Sequence, residues 1–251
     1  SCQRYKREKS PASVCSLPLK SLQDSSSANT ACRFFPAPER GAGAFRLFEA
    51  PVSCRKPRLL TNDLTISAND IFLSDTDYKL IITDGKLITV AGKIEINAPK
   101  EVLFTSDNPG TTYFKGIRLE EGAISNFNNF KMFYGGGIRS LNESFTMNNS
   151  EVSYQNAGAA TGGAINFSRG NPVIKNSVFK HNITPVVGSG ANQSVALIFE
   201  NNYLEDNNKE NSNRPQINMG PSGENQTTII KNNTIIGNRA NTRVGGISVS
   251  S

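Results

Sequence analysis

Two arginines stand at matching positions of consecutive repeats in this sequence and could together bind an acidic group. Arg118 follows Gly116-Ile117, and Arg139 follows Gly137-Ile138 further along the chain. Guanidinium groups bind carboxylates through paired, charge-assisted hydrogen bonds, so two of them on one surface could grip an acidic sugar. The alternative interpretation of the same two residues is an ordinary solvated outer face.

The later copies of this motif carry polar residues at the arginine position. These residues are Asn166, Asn192, Asn218 and Ser248. Amide side chains along one face could hydrogen-bond an extended glycan, or could simply keep the outer face hydrated. The substrate-binding residues that the sequence predicts are Arg118, Arg139, Asn166, Asn192 and Asn218.

Catalytic and metal-binding patterns are weak in this sequence. A glycosidase needs two facing carboxylates, and no Asp-Asp pair occurs. Glu200, Glu205 and Asp206 could be read as calcium ligands, but surface charge is the simpler interpretation. The single histidine, His181, is interpreted as a turn residue. We therefore predict no catalytic residue, no metal site and no cofactor, and calcium is left as a possibility without support.

A repeat with a period near 26 residues must position these side chains. The apolar residue before each polar one occurs at spacings of 21, 27, 26, 26 and 30, as Ile117, Ile138, Ile165, Ala191, Ile217 and Ile247. A second column consists of an apolar residue two positions before an asparagine. Its asparagines, which we predict to form a structural column, are Asn129, Asn149, Asn176, Asn201 and Asn232.

This pattern predicts an all-β fold, a right-handed parallel β-helix or solenoid. Three short runs per unit, each with alternating apolar residues, do not fit a helical period of 3.6. Stacked unit on unit, each run would pair with its own copies about 4.8 Å away, and the apolar residues would form a shared core. Asparagine tolerates the left-handed backbone that the corners need, and its amide can bond along the stack.

The first 60 residues differ from the rest in composition. They carry 11 Lys and Arg against 4 Asp and Glu, whereas residues 61–251 are close to neutral. All four cysteines, Cys2, Cys15, Cys32 and Cys54, lie here without a C-x-x-C pair, so zinc is not expected. We predict a disordered or adventitious segment over 1–60 and a β-helix over 61–251, truncated at its C-terminal end. No nucleic-acid partner is predicted.

The motifs of the second region resemble those of secreted bacterial right-handed parallel β-helix proteins of the pectate-lyase-like superfold. The resemblance rests on Phe104-Thr105-Ser106, on Gly116-Ile117 and on Tyr134-Gly135-Gly136-Gly137. Members of this group include polysaccharide lyases, hydrolases, epimerases and surface adhesins, so the fold does not decide the activity. The resemblance implies an extracellular or cell-surface location, although no signal peptide is present in this sequence and no run is long enough to span a membrane.

Two functions remain open from the sequence. The first is a non-catalytic surface or adhesion module that binds a polysaccharide or a cell-surface glycan. The second is a lyase-type enzyme acting on an acidic glycan, with Arg118 and Arg139 in its site.

Overall fold

The computed structural model describes residues 57–190, 194–237 and 246–250, together with the backbone of two short strands before them. The predictions for segment 1–60, including its order and the state of Cys2, Cys15, Cys32 and Cys54, fall almost wholly outside the described residues. Strand Arg58–Leu60 pairs with Tyr78–Ile82, so the parallel pairing begins a few residues before the predicted boundary at 61.

The described residues contain no helix and are organised into two sheets built from 23 strands. The eight-stranded sheet, called sheet B, consists of β4 (Leu64–Ile66), β7 (Leu87–Val90), β9 (Gly116–Leu119), β11 (Ile138–Ser140), β14 (Ile165–Phe167), β17 (Val187–Ser189), β20 (Ile217–Met219) and β23 (Ile247–Val249). The fifteen-stranded sheet, called sheet A, consists of β1 (Leu22–Gln23), β2 (Ala44–Arg46), β3 (Arg58–Leu60), β5 (Ile71–Ser74), β6 (Tyr78–Ile82), β8 (Lys93–Ser106), β10 (Ile124–Phe133), β12 (Ser144–Asn148), β13 (Glu151–Ser153), β15 (Val173–Lys175), β16 (Val178–Lys180), β18 (Ile198–Glu200), β19 (Tyr203–Glu205), β21 (Ile229–Lys231) and β22 (Thr234–Ile236).

Sheet A has two arms, because the long strands β8 and β10 pass through a corner and pair with different strands on either side of it. On one side β10 pairs with β12, and on the other side it pairs with β13. From β11 onward each coil therefore contributes one strand to sheet B and one to each arm of sheet A. All pairings are parallel except that of β1 with β3. The all-β parallel β-helix predicted from the sequence is confirmed.

The hydrophobic core lies between the sheets and consists of vertical columns of like residues. In sheet B, Ile117, Ile138 and Ile165 are in register and fully buried. In one arm of sheet A, Phe127 stands over Met147 and Ile174 in the same way. Because neighbouring strands lie about 4.8 Å apart, a substitution in one coil directly alters the packing of the coils above and below.

The five asparagines of the predicted structural column occupy the corner between the two arms of sheet A. All five have a left-handed backbone, with φ between 47° at Asn149 and 56° at Asn201. Asparagine adopts this conformation more readily than other side chains do. The residue that follows each of these asparagines points inward. The buried hydrogen bonds that link successive coils at this corner are therefore made by Ser150, Ser177 and Asn202, and not by the asparagines of the column.

The second corner, after the second arm of sheet A, contains a buried amide ladder. Gln155, Asn182 and Asn207 are fully buried and stacked in successive coils. The amide of Asn182 donates to the Val152 carbonyl and to Asn207 Oδ1, and its oxygen accepts from the Gln155 backbone N–H. The residues before these amides, among them His181, take the left-handed conformation, in agreement with the interpretation of His181 as a turn residue.

Candidate functional site

A cleft of about 310 Å³ opens on the outer face of sheet B. Its floor is formed by the outward-facing central positions of β14, β17 and β20, which are Asn166, Gly188 and Asn218 in register. Gly188 has no side chain to project outward, so the floor is lowest there. Because hydrogen-bonded strands fix these positions, the cleft is formed before any ligand arrives.

Arg139 borders the cleft and is held by two side chains of the next coil. Its guanidinium donates to Asn166 Oδ1 and, over 2.8 Å, to Ser168 Oγ. Asn166 is buried and in turn donates to the Gly188 carbonyl. Burial lowers the pKa of Arg139, and the nearby positive charge of Arg118 lowers it further. Arg139 is thus a partly desolvated cation in a fixed orientation.

Arg214 borders the same cleft from a loop between β19 and β20. Its guanidinium donates over 2.7 Å to the backbone carbonyl of Thr161, which belongs to the loop of an earlier coil. Asn208 braces the loop by accepting hydrogen bonds from the Ser212 backbone N–H and hydroxyl. The two loops therefore close one side of the cleft and present Arg214 to it.

Of the other predicted binding residues, Arg118 is paired with a carboxylate, whereas Asn218 lines the cleft. Arg118 is in register with Arg139, but its Nε lies 2.6 Å from Glu120 Oε1, so its charge is neutralised within its own strand region. This hydrogen bond raises the pKa of Arg118. Asn218 lines the cleft, and its amide has no side-chain hydrogen bond to any described residue.

The sequence alignment of the column is wrong at one coil. The register places Gly188 between Asn166 and Asn218, where the even spacing had placed Asn192. The chain makes a short coil of 22 residues from Ile165 to Val187 and then a long one of 30 residues to Ile217. Asn192 itself lies outside the described residues.

Neither Arg214 nor Gly188 is among the binding residues predicted from the sequence. Arg214 belongs to a loop that no repeat position aligns, and only the contact with Thr161 brings it to sheet B. Gly188 has no polar side chain and therefore does not fit the outward position of the repeat motif. Only its inward neighbours, Val187 and Ser189, identify the strand from the sequence.

The acidic residues considered as calcium ligands are each neutralised by a cation. Glu200 lies 3.0 Å from both Lys175 and Lys231, Glu205 pairs with Lys180, and Asp206 bonds His181 and Lys209. Within the described ranges, no three His, Cys, Asp or Glu side chains form a group that could hold a metal ion. These carboxylates act as ion-pair partners of neighbouring cations.

Comparison with known proteins adds no assignment for this fold or cleft. No family model matches the chain, and neither a curated protein nor a solved structure matches it. In the part of the chain that the structure describes, no helix combines the length and hydrophobicity needed to cross a bilayer.

Proposed function

We propose that this chain is a non-catalytic carbohydrate-binding β-helix module of an extracellular or cell-surface protein, with an adhesin-like role. The observation that carries the proposal is the cleft on sheet B, whose floor is small and polar and whose Asn218 amide is open to a ligand. Carbohydrates present many hydroxyl groups, and an amide can both donate to and accept from them. A floor built on strands loses little entropy when it binds such a ligand.

The composition of the cleft supports binding over hydrolysis. Among the described residues that line it, none is Asp or Glu. Hydrolysis of a glycosidic bond by the common mechanism uses a pair of carboxyl groups on either side of the bond. The proposal includes a relationship to the pectate-lyase-like superfold, which the sequence motifs support.

A glycan array probed with the labelled protein tests the proposal. We expect binding to a restricted set of glycans, and we expect Asn218→Ala to weaken it. Asn97→Ala is the matched control, because Asn97 is an exposed amide on sheet A and its loss leaves the cleft unchanged. Binding that Asn97→Ala reduces and Asn218→Ala does not would place the site elsewhere, and absence of binding to any glycan would overturn the proposal.

A lyase-type enzyme is the second candidate, and one observation favours it. In β-elimination a base removes the proton from the carbon next to a carboxylate, the bond from the following carbon to the leaving oxygen breaks, and an unsaturated sugar forms while the leaving oxygen takes up a proton. The two arginines of the cleft support this candidate, because Arg139 and Arg214 together could stabilise the negative charge that develops on the sugar carboxylate when the proton leaves. Ultraviolet absorbance of unsaturated product that disappears in Arg139→Ala would favour the enzyme over the binding module.

A further inference from the structure

Basic side chains on the β-helix surface are mostly paired with carboxylates. Six of them in strands form ion pairs, namely Lys93 with Glu95, Arg118 with Glu120, Lys131 with Glu101, Lys180 with Glu205, and Lys175 and Lys231 with Glu200. Two other strand lysines, Lys79 and Lys100, are unpaired but exposed, so water solvates them. These residues need no ligand to compensate their charge.

The two arginines of the cleft are also unpaired, but they differ from Lys79 and Lys100 in lying in one cleft, with Arg139 half-buried and Arg214 exposed. Within the described residues, neither Arg139 nor Arg214 lies within ion-pair distance of a carboxylate, and both line the same cleft. Arg139 is half-buried, which makes an uncompensated charge more costly than at a fully exposed position. No described residue that lines the cleft is acidic, so none of them offsets the positive charge of the two arginines.

Both guanidinium groups keep donors available for a ligand. A guanidinium has five N–H donors. Toward described residues, Arg139 uses one donor to Asn166 and one to Ser168. Arg214 uses one donor to Thr161. The existing bonds fix the orientation of each group, and the remaining donors can bind an anion in the fork geometry that carboxylates and sulfates prefer.

We propose that the ligand of the cleft is an acidic saccharide whose anionic group is bound by Arg139 and Arg214, while Asn218 bonds a neighbouring hydroxyl. This inference rests on the proposed carbohydrate-binding function and specifies its ligand class. Arg118, which the sequence also predicts as a binding residue, is not part of this anion site because it is already paired with Glu120. The shared chemistry is an anion on a sugar ring, either a carboxylate or a sulfate.

The test uses an array that carries uronate-containing, sialylated, sulfated and neutral glycans, with the full chain and four variants. Arg139→Gln and Arg214→Gln each remove one of the two positive charges proposed to bind the anion. Arg139→Lys keeps the charge but removes the paired N–H donors of the guanidinium. Arg169→Gln is the control, because Arg169 is exposed, pairs with Glu121 and lies outside this cleft. Melting temperatures of all variants show whether each one is folded.

We expect the bound glycans to be acidic, and binding to weaken about tenfold or more in both Gln variants but not in Arg169→Gln. Preference for uronates or for sulfated glycans identifies the anion. Binding of neutral glycans, or acidic binding that both Gln variants retain, would overturn the inference while the carbohydrate-binding function stands. If Arg139→Gln fails to fold, Arg214→Gln alone decides. Absence of binding to every glycan would overturn the function and the inference together.

Discussion

Two columns of polar side chains run along this β-helix, and they differ in where their hydrogen bonds go. At the second corner, Gln155, Asn182 and Asn207 are buried and bond to backbone carbonyls, to backbone N–H groups and to one another. On sheet B, the Asn166 side chain is hydrogen-bonded within the protein, whereas the Asn218 side chain has no hydrogen bond to a described residue. The same residue type therefore stabilises the fold where the protein completes its bonds, and is available to a ligand where it does not.

A substitution in the hydrophobic core beneath both columns should have the largest effect on stability. Ile165 is fully buried in register with Ile138 and Val187, so Ile165→Ala removes packing in three coils and should cost about 2–5 kcal/mol of unfolding free energy. Denaturant unfolding measures it. Ile124→Ala is the matched control, because Ile124 is 49% exposed. Equal losses in the two variants would contradict the assignment of inward and outward faces.

A substitution in the buried amide ladder of the second corner should have the next largest effect on stability. Asn182→Ala leaves the buried Gln155 N–H without its acceptor, at about 1–3 kcal/mol, and removes the donor to the Val152 carbonyl, whereas Asn207 Oδ1 keeps its bond from the backbone N–H of residue 182. Thermal and denaturant unfolding should both show the loss, and glycan binding should persist in the folded fraction. A variant as stable as the wild type would mean that water replaces the amide in the corner.

Substitutions in the outward-facing polar column of sheet B should affect glycan binding more than stability. Asn218→Ala breaks no side-chain hydrogen bond to a described residue, so its unfolding free energy should change by less than about 0.5 kcal/mol while glycan affinity falls. Arg139→Ala should cost somewhat more stability than Asn218→Ala, because its bonds to Asn166 and Ser168 are lost. A large melting shift in Asn218→Ala would make this column structural as well.

The smallest effect is expected in the ion pairs of sheet A. Hydrogen bonds from Lys175 and then Lys231 hold the pKa of Glu200 below its usual value. A carboxyl whose pKa is lower in the folded state stabilises the protein above its unfolded pKa, and this contribution disappears as the pH falls through the folded pKa. The wild type should therefore exceed Glu200→Gln in melting temperature at neutral pH, and the difference should shrink in acid. A difference that grows on acidification would contradict the pairing.

The sequence predicts the fold better than the cleft, for a physical reason. Residues of the core and corners must repeat in every coil, so Phe127, Met147 and Ile174 reveal the register directly. The cleft depends on departures from the repeat, namely a short coil before Val187 and a long loop that carries Arg214. Arg139, Asn166 and Asn218 were predicted because they occupy repeat positions, but the neutralisation of Arg118 by Glu120 required the side-chain geometry.

The most direct test of the account is a side-chain NMR titration of isotopically labelled protein with the glycan that the array selects. Arginine Nε–H and asparagine amide signals report each polar column separately. The account predicts shifts at Arg139, Arg214 and Asn218, with the signals of Asn182 and Asn207 unchanged. Shifts confined to the corner amides or to the paired cations of sheet A would contradict it.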